Sequence, residues 1–215
     1  MSCILTCYNR TLRRKTSTIV QFVPKFVVQA DRKSVRLRTA MKIRAATKND
    51  IPAIAQVHFE CWRALFSSLV PDFAFDALQP RGDQRWQHFL EGAEWGDEVA
   101  YVAEEDGEVV GFSAGGPEWG GHATIEAEMY SLYVMPRYQG QGVGKQLLLA
   151  VAKGLVKLGL NSMLVRLRSG NPTPRVYIAM GAEDMGLHQV SVGAASVGEV
   201  TYGWSDLRRL SEFEG

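Results

Sequence analysis

Cysteine is scarce in this chain of 215 residues: Cys3, Cys7 and Cys61 are all it has. An odd, sparse set does not make a disulfide framework. Cys3 and Cys7 lack enough neighbouring ligands for a structural zinc site, and Cys61 falls on a helical apolar stripe, where it reads as a small core residue. A reducing compartment, most simply the cytoplasm, is the expectation. Histidine is equally thin: His58, His88, His122 and His188 offer no pair at metal-ligand spacing, so no metal site is expected. Long apolar runs are missing too. The best, Ile19 to Ala30, is broken by Gln21, Pro24 and Lys25 and is too short to span a bilayer.

Net charge is nearly absent at +1, but the two parts of the chain are unlike. Residues 1–40 carry nine Lys/Arg and one acid, Asp31, or about +8, which leaves about −7 on the remainder. The basic stretch is rich in Ser, Thr and Arg. Val28-Gln29-Ala30 is a poor signal-cleavage site, and the lack of acid suits a mitochondrial presequence better. The favoured reading is a non-folding extension over 1–40, or an upstream start that the working protein lacks, before one folded domain over 41–215. The acidic domain carries no nucleic-acid signature.

Periodicity predicts the elements. Residues 42–46 read as a short strand, and Thr47 to Asp50 supply helix-starting residues. Ile54, Val57, Cys61 and Leu65 recur at helical spacing until a stop before Pro71. A second, less regular helix is expected over 72–92. Val99 to Ala103 and Val109 to Ala114 flank Asp106-Gly107, the signal for a type I′ hairpin. Gly115-Gly116-Pro117 and Gly120-Gly121 predict a flexible loop, and Thr124 to Met135 a long strand. Val143, Leu147, Val151 and Leu155 form a helical stripe that Gly159 stops. A buried strand over 162–167, a helix from Asn171 to Met180 with Pro172 and Pro174 in its first turn, and strands near 184–192 and 199–205 follow, the last two joined by a glycine-rich turn at 193–198. This order predicts an α/β fold, a mixed, twisted sheet of about six to seven strands with helices on both faces.

The segment Leu132-Tyr-Val-Met-Pro-Arg-Tyr-Gln-Gly-Gln-Gly-Val-Gly-Lys145 is the most telling. A strand enters a glycine-rich turn that opens into a helix, an arrangement that aims backbone N–H groups and the helix dipole at one anion. A P-loop would need Gly at 139 and Ser/Thr at 146, where Gln139 and Gln146 stand. A dinucleotide fingerprint begun at Gly140 and Gly142 would need Gly at 145, where Lys145 stands. What fits is Gln139-x-x-Gly142-x-Gly144 after Leu-Tyr-Val-x-Pro. This segment resembles the coenzyme A pyrophosphate loop of the GNAT superfamily of N-acetyltransferases, and the predicted element order is similar to the GNAT fold over 42–205.

The resemblance implies a set of roles. Acetyl-CoA would be the co-substrate, held by Gln139, Gly140, Gln141, Gly142, Val143, Gly144 and Lys145, with its pantetheine arm along the backbone of Leu132, Tyr133 and Val134. The Val134 N–H would face the thioester carbonyl. Glu128 would be the general base; it lies six residues before Val134, and a period of two puts both side chains on one sheet face. Tyr177, four residues before Gly181, would be the general acid. Asn171 belongs to the same motif, although its interval to Tyr177 is one residue short and holds two prolines.

The chemistry explains why such residues are wanted. An alkylammonium, with a pKa of ~10, must lose its proton before it can attack. The carbonyl oxygen needs a donor as charge develops, and the departing thiolate benefits from a proton. No cysteine stands in the motif region, so direct transfer in a ternary complex is expected rather than an acetyl-enzyme. The acceptor is expected to be a primary amine of a small molecule or peptide, in a pocket lined by Trp62, Arg63 and Phe66 with Trp119 from the Gly115 to Gly121 loop. The partners expected are acetyl-CoA and that amine, not nucleic acid or membrane, and a homodimer stays open. The alternatives are a non-catalytic acyl-CoA-binding sensor or interaction module, and a nucleotide-phosphate binder.

Overall fold

A computed structural model describes residues 40–66, 96–169, 174–192 and 195–213. The basic stretch 1–39 and the helix expected over 72–92 lie outside the described residues. Within them the order is β1 (Lys42–Ala45), α1 (Ile51–Phe66), β2 (Val99–Glu105), β3 (Glu108–Pro117), β4 (Ala127–Val134), α2 (Val143–Lys157), β5 (Met163–Arg168), α3 (Pro174–Ala179), β6 (Glu183–Val192) and β7 (Ala195–Trp204), closed by a 3₁₀ turn over Leu207–Phe213.

The seven strands form one sheet in the order β1-β2-β3-β4-β5-β7-β6. Every pair is antiparallel except β4 with β5. Helix α2 makes that exception possible, since a parallel pair needs a crossover. The fold is the α/β sheet with helices that the sequence predicts.

Local signals account for the elements. Asp106 and Gly107 have φ of 53° and 80°, the two left-handed residues that a type I′ turn demands. Ahead of α1, the Asp50 carboxylate accepts from the Thr47 N–H at 2.8 Å and pairs with both terminal nitrogens of Arg44 at 2.7 Å. The predicted stripe of α2 is fully buried: Val143, Leu147, Val151 and Leu155 all face the sheet. Burying each such side chain contributes about 1.5–3 kcal/mol.

Two apolar layers result. On one face α2 packs Leu148, Val151 and Leu155 against Met129, Met163 and Val165. On the other, α1 packs Ile54, Val57 and Cys61 against Val102, Phe112 and Tyr133.

Three boundaries differ from the sequence reading. Gly115, Gly116 and Pro117 belong to β3 rather than to a loop. A Cβ at Gly115 would stand 2.9 Å from the Glu128 carbonyl oxygen and 3.0 Å from Val151, so this glycine serves close packing within the sheet. Strand β4 begins at Ala127, three residues later than expected, opposite Pro117 at the end of β3, and a Glu118 N–H to Glu126 oxygen bond of 2.9 Å closes the base of the connecting loop. Strand β7 begins at Ala195, so the expected glycine-rich turn contributes Gly198 to the hairpin ladder, opposite Gln189.

Candidate active site

Strands β4 and β5 pair at two positions, Ala127 with Met163 and Glu128 with Leu164. Beyond them the strands part, and the rest of β4 borders a gap. The Met135 N–H turns toward β3, donating to the Val110 oxygen at 2.9 Å. Backbone direction alternates along a strand, so Val134 turns the other way, into the gap. Its carbonyl oxygen there accepts from Gln139 Nε2 at 2.9 Å and from the Cys61 thiol at 3.3 Å. Burial pushes the Cys61 thiol up to about 12, which leaves it inert and apolar in character.

The glycine turn lies past the end of β4. Gly140 and Gly142 have φ of 73° and 82°, and a Cβ built on either would meet nothing within 4 Å. The turn therefore needs these glycines for its backbone conformation, and the space above it is open. Gln139 and Gln141 brace it from within: Gln141 Nε2 donates to the Arg137 oxygen at 2.8 Å, as Gln139 does to Val134. Helix α2 starts at Val143 without an acid in its first turn, so its amides and dipole stay available to an anion. Arg137 is turned away, paired with Glu108 and lying 5.1 Å over the Tyr138 ring.

Glu128 is 4 % exposed. Burial pushes its carboxyl up to about 7, against the pull of the Arg166 guanidinium bonded to it. Its side chain and that of Val134 lie on opposite sheet faces, contrary to the period-of-two expectation. The cause is a bulge: Ala114 pairs with Ser131 and Gly115 with Met129, so Tyr130 is an extra residue in β4. Met129 before the bulge and Val134 after it both pack on the α2 side, and Glu128 points the other way to reach Arg166. A bulge shifts the alternation by one.

Tyr177, on α3, is 5 % exposed and packs edge-on to Trp204 at 6.3 Å in the α2-side layer. Asn171 lies outside the described residues. Of the expected acceptor lining, Trp62 is half-buried beside His58 and Arg63 is exposed, while the Phe66 side chain lies outside the described residues. Trp119 is 75 % exposed, its indole N–H donating to the Tyr130 hydroxyl at 2.8 Å.

The profile of the Acetyltransferase (GNAT) family matches residues 62–181, which include the strand gap, the glycine turn and α3. The chain belongs to the GNAT acetyltransferase family. An uncharacterized N-acetyltransferase of Bacillus subtilis, YuaI, is 29 % identical over 170 residues, spanning 78 % of this chain and 95 % of that one. An uncharacterized N-acetyltransferase of Archaeoglobus fulgidus is 30 % identical over 112 residues, 50 % of this chain and 69 % of its own. Among solved structures, the PaiA N-acetyltransferase of Thermoplasma acidophilum in complex with coenzyme A matches 77 % of this chain and 100 % of its own, at a TM-score of 0.57 and 16 % identity. YncA of Salmonella typhimurium, with its cofactor acetyl-CoA, matches 79 % of this chain and 95 % of its own at a TM-score of 0.54 and 24 % identity.

Four residues around Glu128 in this candidate site carry no role in the sequence reading. Arg166 reaches Glu128, Glu118 and Glu199. Its signal was legible: a cation flanked by Val165 and Leu167 in the buried strand Met163–Arg168 needs buried acids to face. Glu118 and Tyr130 frame the same corner. Glu98, just before β2, carried no such signal. It lies beside the Tyr130 hydroxyl, both touching the place a Cβ on Gly116 would occupy. Burial, with Asp97 nearby, pushes the Glu98 carboxyl up to about 7. Among the described residues no group of three or more His, Cys, Asp or Glu could hold a metal ion, and no helix is long and apolar enough to cross a membrane.

Proposed function

We propose that this acetyltransferase moves the acetyl group of acetyl-CoA to a primary amine of a small molecule or peptide, directly, in a ternary complex. The observation that carries the reading is the buried Glu128 carboxyl, pushed up to about 7, beside a strand gap that leads to an open glycine turn. A base of that strength is half ionised at neutral pH, where proton acceptance is most effective.

The residues present suit the co-substrate. The diphosphate would sit on the amides of Gly140 to Lys145, where a bare backbone and a helix start favour an anion. The pantetheine arm would run along Leu132, Tyr133 and Val134 as an added strand in the gap. The Val134 N–H would donate to the thioester oxygen.

Glu128 takes a proton from the acceptor's ammonium. The freed nitrogen lone pair attacks the thioester carbon, and the carbonyl electrons move onto oxygen. As the tetrahedral centre collapses, the C–S bond breaks and the thiolate leaves, with Tyr177 as its proton donor. The products are the N-acetyl amide and coenzyme A; the second proton shed by the nitrogen restores the Tyr177 phenol, and the first stays with Glu128 until solvent takes it.

One observation favours a second reading. Arg166 already occupies Glu128, as it would in a non-catalytic acyl-CoA-binding module. Turnover of acetyl-CoA with a panel of primary amines, comparing wild type with Glu128→Gln and Tyr177→Phe, separates the two. Loss of turnover in Glu128→Gln with coenzyme A affinity intact supports catalysis. Tight coenzyme binding with no turnover on any amine supports the binding module.

A further inference from the structure

The guanidinium of Arg166 meets three acids from three separate segments. Nη1 bonds Glu128 on β4, Nη2 bonds Glu118 in the connection between β3 and β4, and Nε lies 3.9 Å from Glu199 on β7. Each nitrogen faces a different carboxylate. Glu118 has a second role. Its Oε1 also accepts the Gly120 amide at 2.6 Å, and its Oε2 accepts the His122 amide at 2.8 Å. The acid that ties the loop to Arg166 therefore also bends the loop. At the crest, Trp119 holds the Tyr130 hydroxyl, which in turn donates to the Pro117 oxygen at 2.5 Å. Gly120 lies against the guanidinium: a Cβ there would stand 2.6 Å from Nη2 and 3.1 Å from Cζ.

We infer that Arg166 is a positioning residue that links the ionisation of Glu128 to the docking of the 118–122 loop. The inference rests on the reading of Glu128 as the base. With the loop docked, one cation is divided among three acids, and Glu128 keeps a proton affinity suited to neutral pH. With Glu118 withdrawn, the guanidinium turns to Glu128 and weakens it as a base. The link is reciprocal: ionised Glu128 competes with Glu118 for Arg166, and protonated Glu128 releases Arg166 to hold the loop. When the acceptor's ammonium gives its proton to Glu128, one N–H bond breaks, the Glu128 O–H bond forms, and the loop at the acceptor side tightens.

The remaining electrostatics agree. Glu128 is surrounded by Arg166 on β5, Glu118 on the loop, Glu199 on β7 and Tyr130 on its own strand, with Glu98 beside Tyr130. Burial opposes ionisation of Glu118, but Arg166 and the His122 and Gly120 amides hold its carboxyl below its ordinary range. Glu118 thus stays charged while Glu128 titrates.

The test is an NMR pH titration of the full chain carrying ¹³Cδ-glutamate and ¹⁵N-indole labels, with Glu128→Gln and Trp119→Phe identifying the two signals. In wild type the Trp119 indole signal shifts with the same midpoint as the Glu128 carboxyl, and in Glu128→Gln it does not. Glu118→Gln lowers the Glu128 midpoint by about half to one pH unit, and that effect shrinks to less than half in an Arg166→Met background. A flat Trp119 signal through the Glu128 titration overturns the inference, as does a Glu118→Gln effect of equal size with and without Arg166. Should Arg166→Met not fold, Gly120→Ala displaces the guanidinium with every charge kept; it lowers the Glu128 midpoint, and an unchanged midpoint overturns the link. Linked titrations with full turnover in Glu128→Gln would remove the base and leave the link standing. Unlinked titrations with turnover abolished would do the reverse.

Discussion

Arg166 on β5 holds the carboxylate of Glu128 on β4 just where those two strands stop pairing. The pair marks the mouth of the strand gap, and the proposed proton acceptor is buried there among ionised neighbours. Two effects compete on Glu128, burial raising its proton affinity and Arg166 lowering it, and burial wins.

The activity should follow that balance. With a competent amine, kcat/KM is expected to rise with pH through a midpoint near 7, the folded value of Glu128, because the carboxylate must be free of its proton to act. Glu128→Gln should lower kcat by about 10²–10⁴-fold with coenzyme A affinity unchanged. Steady-state rates from pH 5.5 to 9 with isothermal titration check both; a full-rate variant contradicts the assignment.

Glu98 gives a stability test separate from turnover. Its folded carboxyl, at about 7, lies above the ordinary carboxylate value. A raised value means the folded state holds the proton more tightly, so this contribution is full below about pH 4.5 and is lost as pH rises through about 7. Glu98→Gln should therefore raise Tm at pH 8 relative to wild type and change it little at pH 5. Calorimetry at the two pH values checks the sign.

Asp50 runs in the opposite direction. Its bonds from Arg44, against burial and with help from Thr47, hold its carboxyl down to about 2. Its stabilisation is present above about pH 4 and is lost as pH falls toward 2. Asp50→Asn should cost about 1–3 kcal/mol at pH 7 and converge with wild type in acid. Urea unfolding across pH 2.5–7 follows the difference.

Much of this was legible in the amino acids, and the failures have physical causes. Asp106-Gly107, the α2 stripe and the glycine turn were readable because each depends on local backbone or periodicity. The faces of Glu128 and Val134 were misjudged because a bulge at Tyr130 is fixed by pairing with β3, which leaves no mark in β4's own sequence. Gly115 and Gly116 suggested a loop, yet they are spaces kept for a neighbouring backbone and for the Glu98 and Tyr130 side chains. Glu98 escaped notice altogether, since its surroundings come from residues distant in the chain.

The glycine turn offers a backbone test. Gly142→Val forces a branched residue to φ 82°, where a Cβ meets nothing within 4 Å but the conformation itself is strained. The strain is expected to be about 1–2 kcal/mol, so the loop should leave its anion-holding shape while the rest of the domain stays folded. Circular dichroism alongside coenzyme A titration separates loss of the site from loss of the fold.

Coenzyme A binding at that turn is the measurement on which the account stands. In a thermal-shift experiment with coenzyme A, acetyl-CoA, ATP and NAD, the two thioester-carrier ligands should raise Tm by about 5 °C or more at hundredfold saturation. The nucleotides should do far less, and Gly142→Val should abolish the carrier's effect. No shift with coenzyme A, or an equal shift in Gly142→Val, would contradict the account.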